Sequence, residues 1–139
     1  MRAITIRQPY ADAIVQPSAI PKRTENRTWR PPAELLGVRF LVHAGLLGDR
    51  AAVLAGVRPG PDVRGAILGA ATVTGYHQDD GQCCPEWGMR SGIKPLFHWD
   101  LADVISLDRP VPAKGALQFW TPAPDVLAAV QRQIEAVAR

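Results

Sequence analysis

The chain has 139 residues and a mass of 15.1 kDa, with 47% hydrophobic and 21% charged residues. This balance excludes a disordered or fibrous chain and predicts one globular domain spanning residues 1–139. A net charge of +3 permits attraction to phosphate groups without identifying a partner, and the lack of a long apolar run or signal-peptide core leads us to expect a cytoplasmic protein outside the membrane.

The first third of the chain predicts a strand, a short helix and a second strand. Residues 2–7 alternate with Ile4 and Ile6 facing inward, as in a half-buried strand. A helix with one apolar side follows Pro9 and ends before Pro17. Residues 24–29 alternate again. An extended chain there places Glu25, Arg27 and Trp29 on one face, and Thr24 on the other.

The middle of the chain predicts a core strand, a helix and a curved strand. Residues 38–44 are rich in β-branched and aromatic side chains, and residues 46–57 have helical spacing. Residues 65–76 are apolar with three glycines, which suits a bulged or curved strand. Residues 79–94 are polar and glycine-containing, and we expect a mobile loop.

The last third predicts more strands and a terminal helix. Residues 97–107 indicate a strand pair or one bent strand, residues 113–120 a final strand, and the residues after Pro124 a helix. Several short strands out of alternation with helices favour an α+β, mainly β fold. We therefore predict a small β-barrel decorated by two or three helices.

The two cysteines, Cys83 and Cys84, are adjacent in sequence, so we expect reduced thiols rather than a disulfide. His77 and His98 are possible partners for them as zinc ligands. The C-x₂₋₄-C spacing that lets two thiolates reach one ion is missing. On that spacing we predict no metal site, and nothing else in the sequence indicates a cofactor.

Three stretches carry a resemblance to a known family: residues 4–11 (ITIRQPYA), 22–29 (KRTENRTW) and 40–44 (FLVHA). They resemble the ASCH family of PUA-like domains, whose members share a strand ending in Gln-Pro-Trp-Ala, a G-x-K-x-x-E-x-R signature and a strand ending in His-Ala. Residues 65–69, 97–99, 101–104 and 110–115 also fit. Tyr10 stands where tryptophan is common, and Ile20 replaces the signature glycine, which implies a different loop before Lys22.

The resemblance implies a PUA-like barrel that binds RNA or another nucleic acid in a cleft beside the first helix. The signature residues implied to line this cleft are Lys22, Glu25 and Arg27. The helical wall is implied to include Gln8 and Tyr10, with His43 and Trp99 nearby.

The chemistry of nucleotide recognition needs a cation for phosphate, a flat surface for stacking and a polar group for a base edge. Lys22 and Arg27 are the cations. The stacking candidates are Trp29, Trp99 and Tyr10, and the base-edge candidates are Gln8 and Glu25. Each has a structural alternative: Glu25 and Arg27 as an ion pair that fixes a strand, about half of the tryptophans as core residues, and His43 as a buried, hydrogen-bonded histidine.

Other functions stay open at this point. Some ASCH-like proteins resemble ribonucleases, for which Lys22, Glu25 and His43 would serve as acid and base. Others are similar to amidohydrolases that deacetylate N4-acetylcytidine with a hydroxyl beside a lysine, but here Glu25 replaces their threonine and Thr24 faces the other way. A reader of modified bases in DNA and a structural or protein-binding domain are further alternatives.

Overall fold

The structure, a computed structural model, describes residues 1–138 as one six-stranded mixed sheet with three α-helices. The strands are β1 (Ala3–Gln8), β2 (Thr24–Arg27), β3 (Arg39–Gly48), β4 (Ala66–Gln78), β5 (Phe97–Pro112) and β6 (Phe119–Trp120). The helices are α1 (Tyr10–Val15), α2 (Arg50–Leu54) and α3 (Pro124–Ala138), with a 3₁₀ helix at Ala33–Leu35. The strand order is β2-β5-β4-β3-β1-β6, and β1 and β3 run parallel. The α+β, mainly β class is confirmed.

The sheet is curled but does not close into a barrel. Across residues 1–138, β2 and β6 are its edges and share no backbone pairing. The gap between them is filled by side chains instead. Trp29, just after β2, packs edge-to-face on Phe119 of β6 with ring centroids 6.0 Å apart. With four and two residues, these edge strands are too short to pair further, so aromatic packing replaces the last ladder of hydrogen bonds.

The predicted strand or strand pair at residues 97–107 is one long bent strand, β5. Its register against β4 shifts at three places, and Asp103 has a φ of 50°. Gly69 of β4 lies in this bulged region. A Cβ there would come within 2.3 Å of the Ile105 carbonyl oxygen and 2.7 Å of Val15 Cγ1. Glycine at this position therefore lets α1 and β5 approach β4 closely where a Cβ would otherwise stand, as the glycine pattern indicated.

Two predicted elements are shorter than expected. The helix expected at residues 46–57 is reduced to α2, because β3 continues through Leu46 and Leu47 to Gly48. Both leucines are exposed, so their spacing does not mark a buried helical face. Asp49 begins α2 by accepting a hydrogen bond from the Ala52 amide at 3.0 Å. Of the strand expected at residues 113–120, β6 alone forms.

Two apolar clusters cover opposite faces of the sheet. One lies between the sheet and α1, where Ile14 and Val15 pack on Ile4 and Val42. The other lies under α3, where Val130 and Ile134 meet Leu41 and Ile67. Because side chains alternate along β3, Leu41 lies in the cluster under α3 and Val42 lies in the cluster under α1.

The helices of the described residues include none with the length and apolar character to cross a membrane.

Candidate functional site

A cavity of about 1300 Å³, here called the cleft, opens between β1, β2, the start of α1, the end of β3 and residues 112–118. Its charged lining residues are Arg7, Lys22, Arg27, Lys114, Glu25 and Asp49. Four are basic and two acidic. The cleft therefore carries a positive excess, which favours an anionic ligand.

The cleft wall contains a buried ionic triad of Lys22, Glu25 and Arg27. Lys22 Nζ lies 3.1 Å from Glu25 Oε1, and Arg27 Nη2 lies 2.9 Å from Glu25 Oε2. The side chains of Lys22 and Glu25 are 1% and 7% exposed, whereas that of Arg27 is 22% exposed. Arg27 Nη2 also donates to the Thr5 carbonyl oxygen at 3.1 Å. Arg27 is thus the member of the triad that a ligand in the cleft can reach.

The local chain explains this arrangement. Glu25 and Arg27 are two residues apart on β2, so strand alternation puts them on the same face, as the sequence predicted. Lys22 lies just before the strand, and its backbone N–H is fixed by the Ala13 carbonyl oxygen of α1 at 2.9 Å. Its ammonium also donates to the Thr24 carbonyl oxygen.

Glu25 is held as a carboxylate. Burial by itself raises the pKa of Glu25, but the charges and hydrogen bonds of Lys22 and Arg27 outweigh it and bring that pKa below its ordinary value. Both of its oxygens accept hydrogen bonds from these cations. A base edge would have to compete with them, so Glu25 positions the cations rather than reading a ligand.

Tyr10 is the predicted stacking residue that the structure places in the cleft. Its hydroxyl donates to Asp49 Oδ2 at 3.0 Å, and Lys22 Nζ lies 5.9 Å from its ring centroid. Partial burial and the contact with Asp49 raise the pKa of Tyr10 to about 12. Hydrogen bonds from the Ala52 amide and Tyr10 lower the pKa of Asp49. This pair fixes an aromatic ring at the cleft wall.

Three other predicted site residues have structural roles. Trp99 is fully buried, its Nε1–H donates to the Trp29 carbonyl oxygen at 3.2 Å, and its ring has no face free for a base. Trp29 packs edge-to-face on Trp99 and lies outside the cleft lining. Gln8 is fully buried, donates to the Val63 carbonyl oxygen and accepts from the Asp12 amide. These positions correct the expected stacking and base-edge roles.

His43 is a buried histidine with both ring nitrogens hydrogen-bonded. The Trp120 indole donates to Thr5 Oγ1 at 3.1 Å, so the Thr5 hydroxyl is oriented to donate to His43 Nδ1 at 3.1 Å. His43 Nε2–H then donates to the Ala113 carbonyl oxygen at 2.7 Å. Burial lowers the pKa of His43, and the Ala113 contact opposes this in part. The ring is therefore neutral at pH 7 and braces residues 113–118 against β1.

The arrangement gives little support to hydrolytic chemistry. Lys22 and Glu25 are engaged with each other, and His43 with Thr5 and Ala113. Lys22 contacts the carbonyl oxygen of Thr24, while the Thr24 side chain lies beside the Cys84 thiol. The hydroxyl–amine pair that an acyl transfer would need is thus directed to opposite sides of β2.

Sequence reasoning missed several cleft residues. Arg7 is an exposed residue near the end of β1, and Lys114 and Leu117 lie on the irregular segment before β6. The alternation of β1 could have indicated Arg7. Gly115 belongs to the family pattern at residues 110–115, and a Cβ there would lie 2.6 Å from Thr5 Oγ1, so glycine is needed for the close approach of this wall.

The loop expected to be mobile is hydrogen-bonded to the edge of the cleft. Asn26 Nδ2 donates to the Trp87 carbonyl oxygen at 2.9 Å, and the Met89 amide donates to Asn26 Oδ1 at 2.8 Å. Trp87 Nε1 donates to the carbonyl oxygen of Ile20. The loop thereby contacts the exposed segment where Ile20 replaces the signature glycine, and Met89 becomes part of the cleft lining.

The fold is similar to that of solved structures, although the sequence of the chain matches no protein-family model. No curated protein matches it either. The structure is similar to ASCH from Zymomonas mobilis, with a TM-score of 0.61, 15% identity, and coverage of 94% of this chain and 93% of that chain. Two single-residue variants of that protein give TM-scores of 0.61 and 0.60 at 15% identity, with coverage of 94% of this chain and 96% and 94% of theirs. The chain therefore has the ASCH fold.

Proposed function

We propose that this protein is a nucleic-acid-binding module that holds single-stranded RNA in the cleft. The observation that carries the proposal is the positive excess around a fixed tyrosine in a cavity of about 1300 Å³. Typical small-molecule pockets have volumes of about 300–1,000 Å³. The cleft is larger, and its size fits more than one nucleotide. The nucleic-acid role implied by the ASCH resemblance supports the same choice.

The residues divide into those that contact the ligand and those that position them. Arg27, Arg7 and Lys114 meet phosphate oxygens, because they combine charge with access from the cleft. Buried Lys22 and Glu25 hold the Arg27 guanidinium in place. Tyr10 offers its ring to a base, and base–aromatic stacking contributes about 1–3 kcal/mol.

The test is a binding titration of fluorescently labelled single-stranded RNA, hairpin RNA and single-stranded DNA at low and physiological salt. Arg27→Ala and Lys114→Ala are compared with Arg132→Ala, which removes the same kind of charge from the exposed side of α3. Each cleft variant should weaken binding to every sequence. Each should also reduce the slope of log K against log salt by about 1, the loss of one phosphate contact. The Arg132 variant should match the wild type.

Three results would contradict the proposal. Equal losses in the cleft variants and Arg132→Ala would show diffuse surface attraction. Salt-sensitive binding with cleavage of the RNA, abolished by Lys22→Met, would indicate the ribonuclease alternative. A lack of binding to any strand would remove general nucleic-acid binding. The alternatives to examine next would then be a modified nucleoside or a modified base in DNA as the ligand, and a protein-binding or structural role for the domain.

A further inference from the structure

Four side chains that commonly bind metals converge outside the cleft lining, at the start of the loop between β4 and β5. They are His77, Cys83, Cys84 and His98. Cys83 Sγ lies 3.1 Å from His77 Nε2 and 3.1 Å from His98 Nδ1. The two imidazole nitrogens lie 3.3 Å apart, and Cys84 Sγ lies 3.6 Å from His77 Nε2. All four ligand atoms lie within 4.8 Å of one another.

These separations fit the edges of a tetrahedral zinc site. With Zn–N near 2.05 Å and Zn–S near 2.3 Å, a regular tetrahedron places two nitrogens about 3.3 Å apart and a nitrogen and sulfur about 3.6 Å apart. The observed distance between the two nitrogens and the distance from Cys84 Sγ to His77 Nε2 match these values closely. The two distances from Cys83 Sγ to the histidine nitrogens are about half an ångström shorter than the tetrahedral value. Thiols are weak hydrogen-bond donors, so contacts among the four groups alone would hold this arrangement poorly.

The fold explains how adjacent cysteines reach one point. His77 and His98 are direct cross-strand partners in the β4–β5 pairing, which brings their imidazoles together. Neighbouring residues of an extended chain point in opposite directions, but Cys84 has a φ of 57°. This left-handed conformation turns both thiols toward the histidines. The sequence rule that two thiolates need C-x₂₋₄-C spacing therefore does not exclude a site here.

A hydrogen bond to the Met89 carbonyl oxygen orients one of the imidazoles. His98 is fully buried, and its Nε2 lies 2.7 Å from the Met89 carbonyl oxygen, to which it donates. This hydrogen bond places the proton on Nε2 and directs the Nδ1 lone pair at the cluster. Metal-binding histidines usually donate their second nitrogen in this way, which fixes the tautomer and the ring. Asp80 Oδ1 meanwhile accepts the Cys83 amide at 2.9 Å and holds the turn that carries both thiols.

We propose that His77, Cys83, Cys84 and His98 form a structural zinc site. A tetrahedral set of two thiolates and two imidazoles is a ligand combination that favours Zn²⁺. Four protein ligands leave no open coordination position for substrate, which distinguishes a structural ion from a catalytic one. The ion fastens residues 79–94 to β4 and β5. Through Met89 and Asn26 it also steadies the edge of the cleft, independently of which ligand the cleft binds.

The test uses untagged protein purified under reducing conditions, because a histidine tag would itself bind zinc. Elemental analysis should find one zinc per chain. Exchange for Co²⁺ should produce the intense visible bands of a tetrahedral ion and thiolate-to-cobalt charge transfer. Cys83→Ser, Cys84→Ser and His98→Gln should each lose stoichiometric zinc. His43→Gln replaces the one histidine outside the cluster and should retain it.

The wild-type protein decides the matter even if the variants fail to fold. Zinc-bound thiols should react slowly with a thiol reagent, and a chelator should speed that reaction at least tenfold. Substoichiometric zinc that cannot be added back, a cobalt spectrum typical of octahedral oxygen ligands, or two freely reactive thiols without chelator would each overturn the proposal. Retention of one zinc by the Cys83→Ser/Cys84→Ser double variant would do the same.

Discussion

Replacing Glu25 with glutamine removes the carboxylate that joins two cations while preserving its shape. Lys22 is 1% exposed, so its ammonium cannot recover hydration without disturbing the wall between α1 and β2. Breaking a buried pair by removing one partner costs about 3–5 kcal/mol, because the other charge stays buried without compensation. Arg27 is 22% exposed and can reach water, so most of the loss arises from Lys22. We expect Glu25→Gln to lower the free energy of unfolding by this amount.

The reverse substitution should cost less. Lys22→Met keeps an apolar stem in the same space, and Glu25 then retains Arg27 and the Asn26 amide, which lies 3.2 Å from Oε1. The double variant Lys22→Met/Glu25→Gln should recover much of the loss, since the buried ammonium is gone. Urea unfolding followed by circular dichroism measures the stability of the wild type, the two single variants and the double variant, which together form a double-mutant cycle.

The pH dependence provides an independent check on the same charge. The pKa of Glu25 is lower in the folded protein than its ordinary value of 4.5. The unfolded state therefore takes up the proton first, and the stabilisation is complete above pH 4.5 and is lost as pH falls through the folded pKa. Glu25→Gln should lack this part of the acid-induced loss. A cost under about 1 kcal/mol, or an unchanged acid profile, would refute the view that the triad is a coupled buried network.

Three further predictions concern the core and the cleft. Because burial keeps folded His43 neutral, the free energy of unfolding should decline as pH falls below about 6.5, where the unfolded histidine takes up a proton. Urea titrations at several pH values should show a smaller decline for His43→Gln. Trp99→Ala should lower stability by about 3–5 kcal/mol in thermal and urea unfolding, with unchanged RNA affinity of the folded fraction, and a selective loss of affinity would return this ring to the binding site. Gly115→Ala should lower the free energy of unfolding by about 1–3 kcal/mol and weaken RNA binding, since the added Cβ would lie 2.6 Å from Thr5 Oγ1. The control is Gly92→Ala, which has open space around its Cβ and should change stability and binding less. Equal effects at both glycines would show that the tight wall is not the cause.

Much of the fold was predictable because its signals are local. Alternating side chains indicated β1 and β2, β-branched and aromatic content indicated the core of β3, and helical spacing indicated α1 and α3. The shared face of Glu25 and Arg27 follows from the two-residue period of a strand. Lys22 joined them in the prediction only through the ASCH resemblance. Local signals failed where apolar residues are exposed, as at Leu46 and Leu47, because hydrophobicity alone does not specify burial.

The sequence by itself determined the mainly β class and the strand that places Glu25 and Arg27 on one face. Only the tertiary structure decided that Trp99 is buried and that Lys114 and Arg27 line the same cleft. It also brought Cys83 and Cys84 to His77 and His98 through the β4–β5 register and one left-handed residue. These features depend on pairings between residues far apart in the chain, and the local period of a strand or helix contains no information about which distant residue will lie opposite.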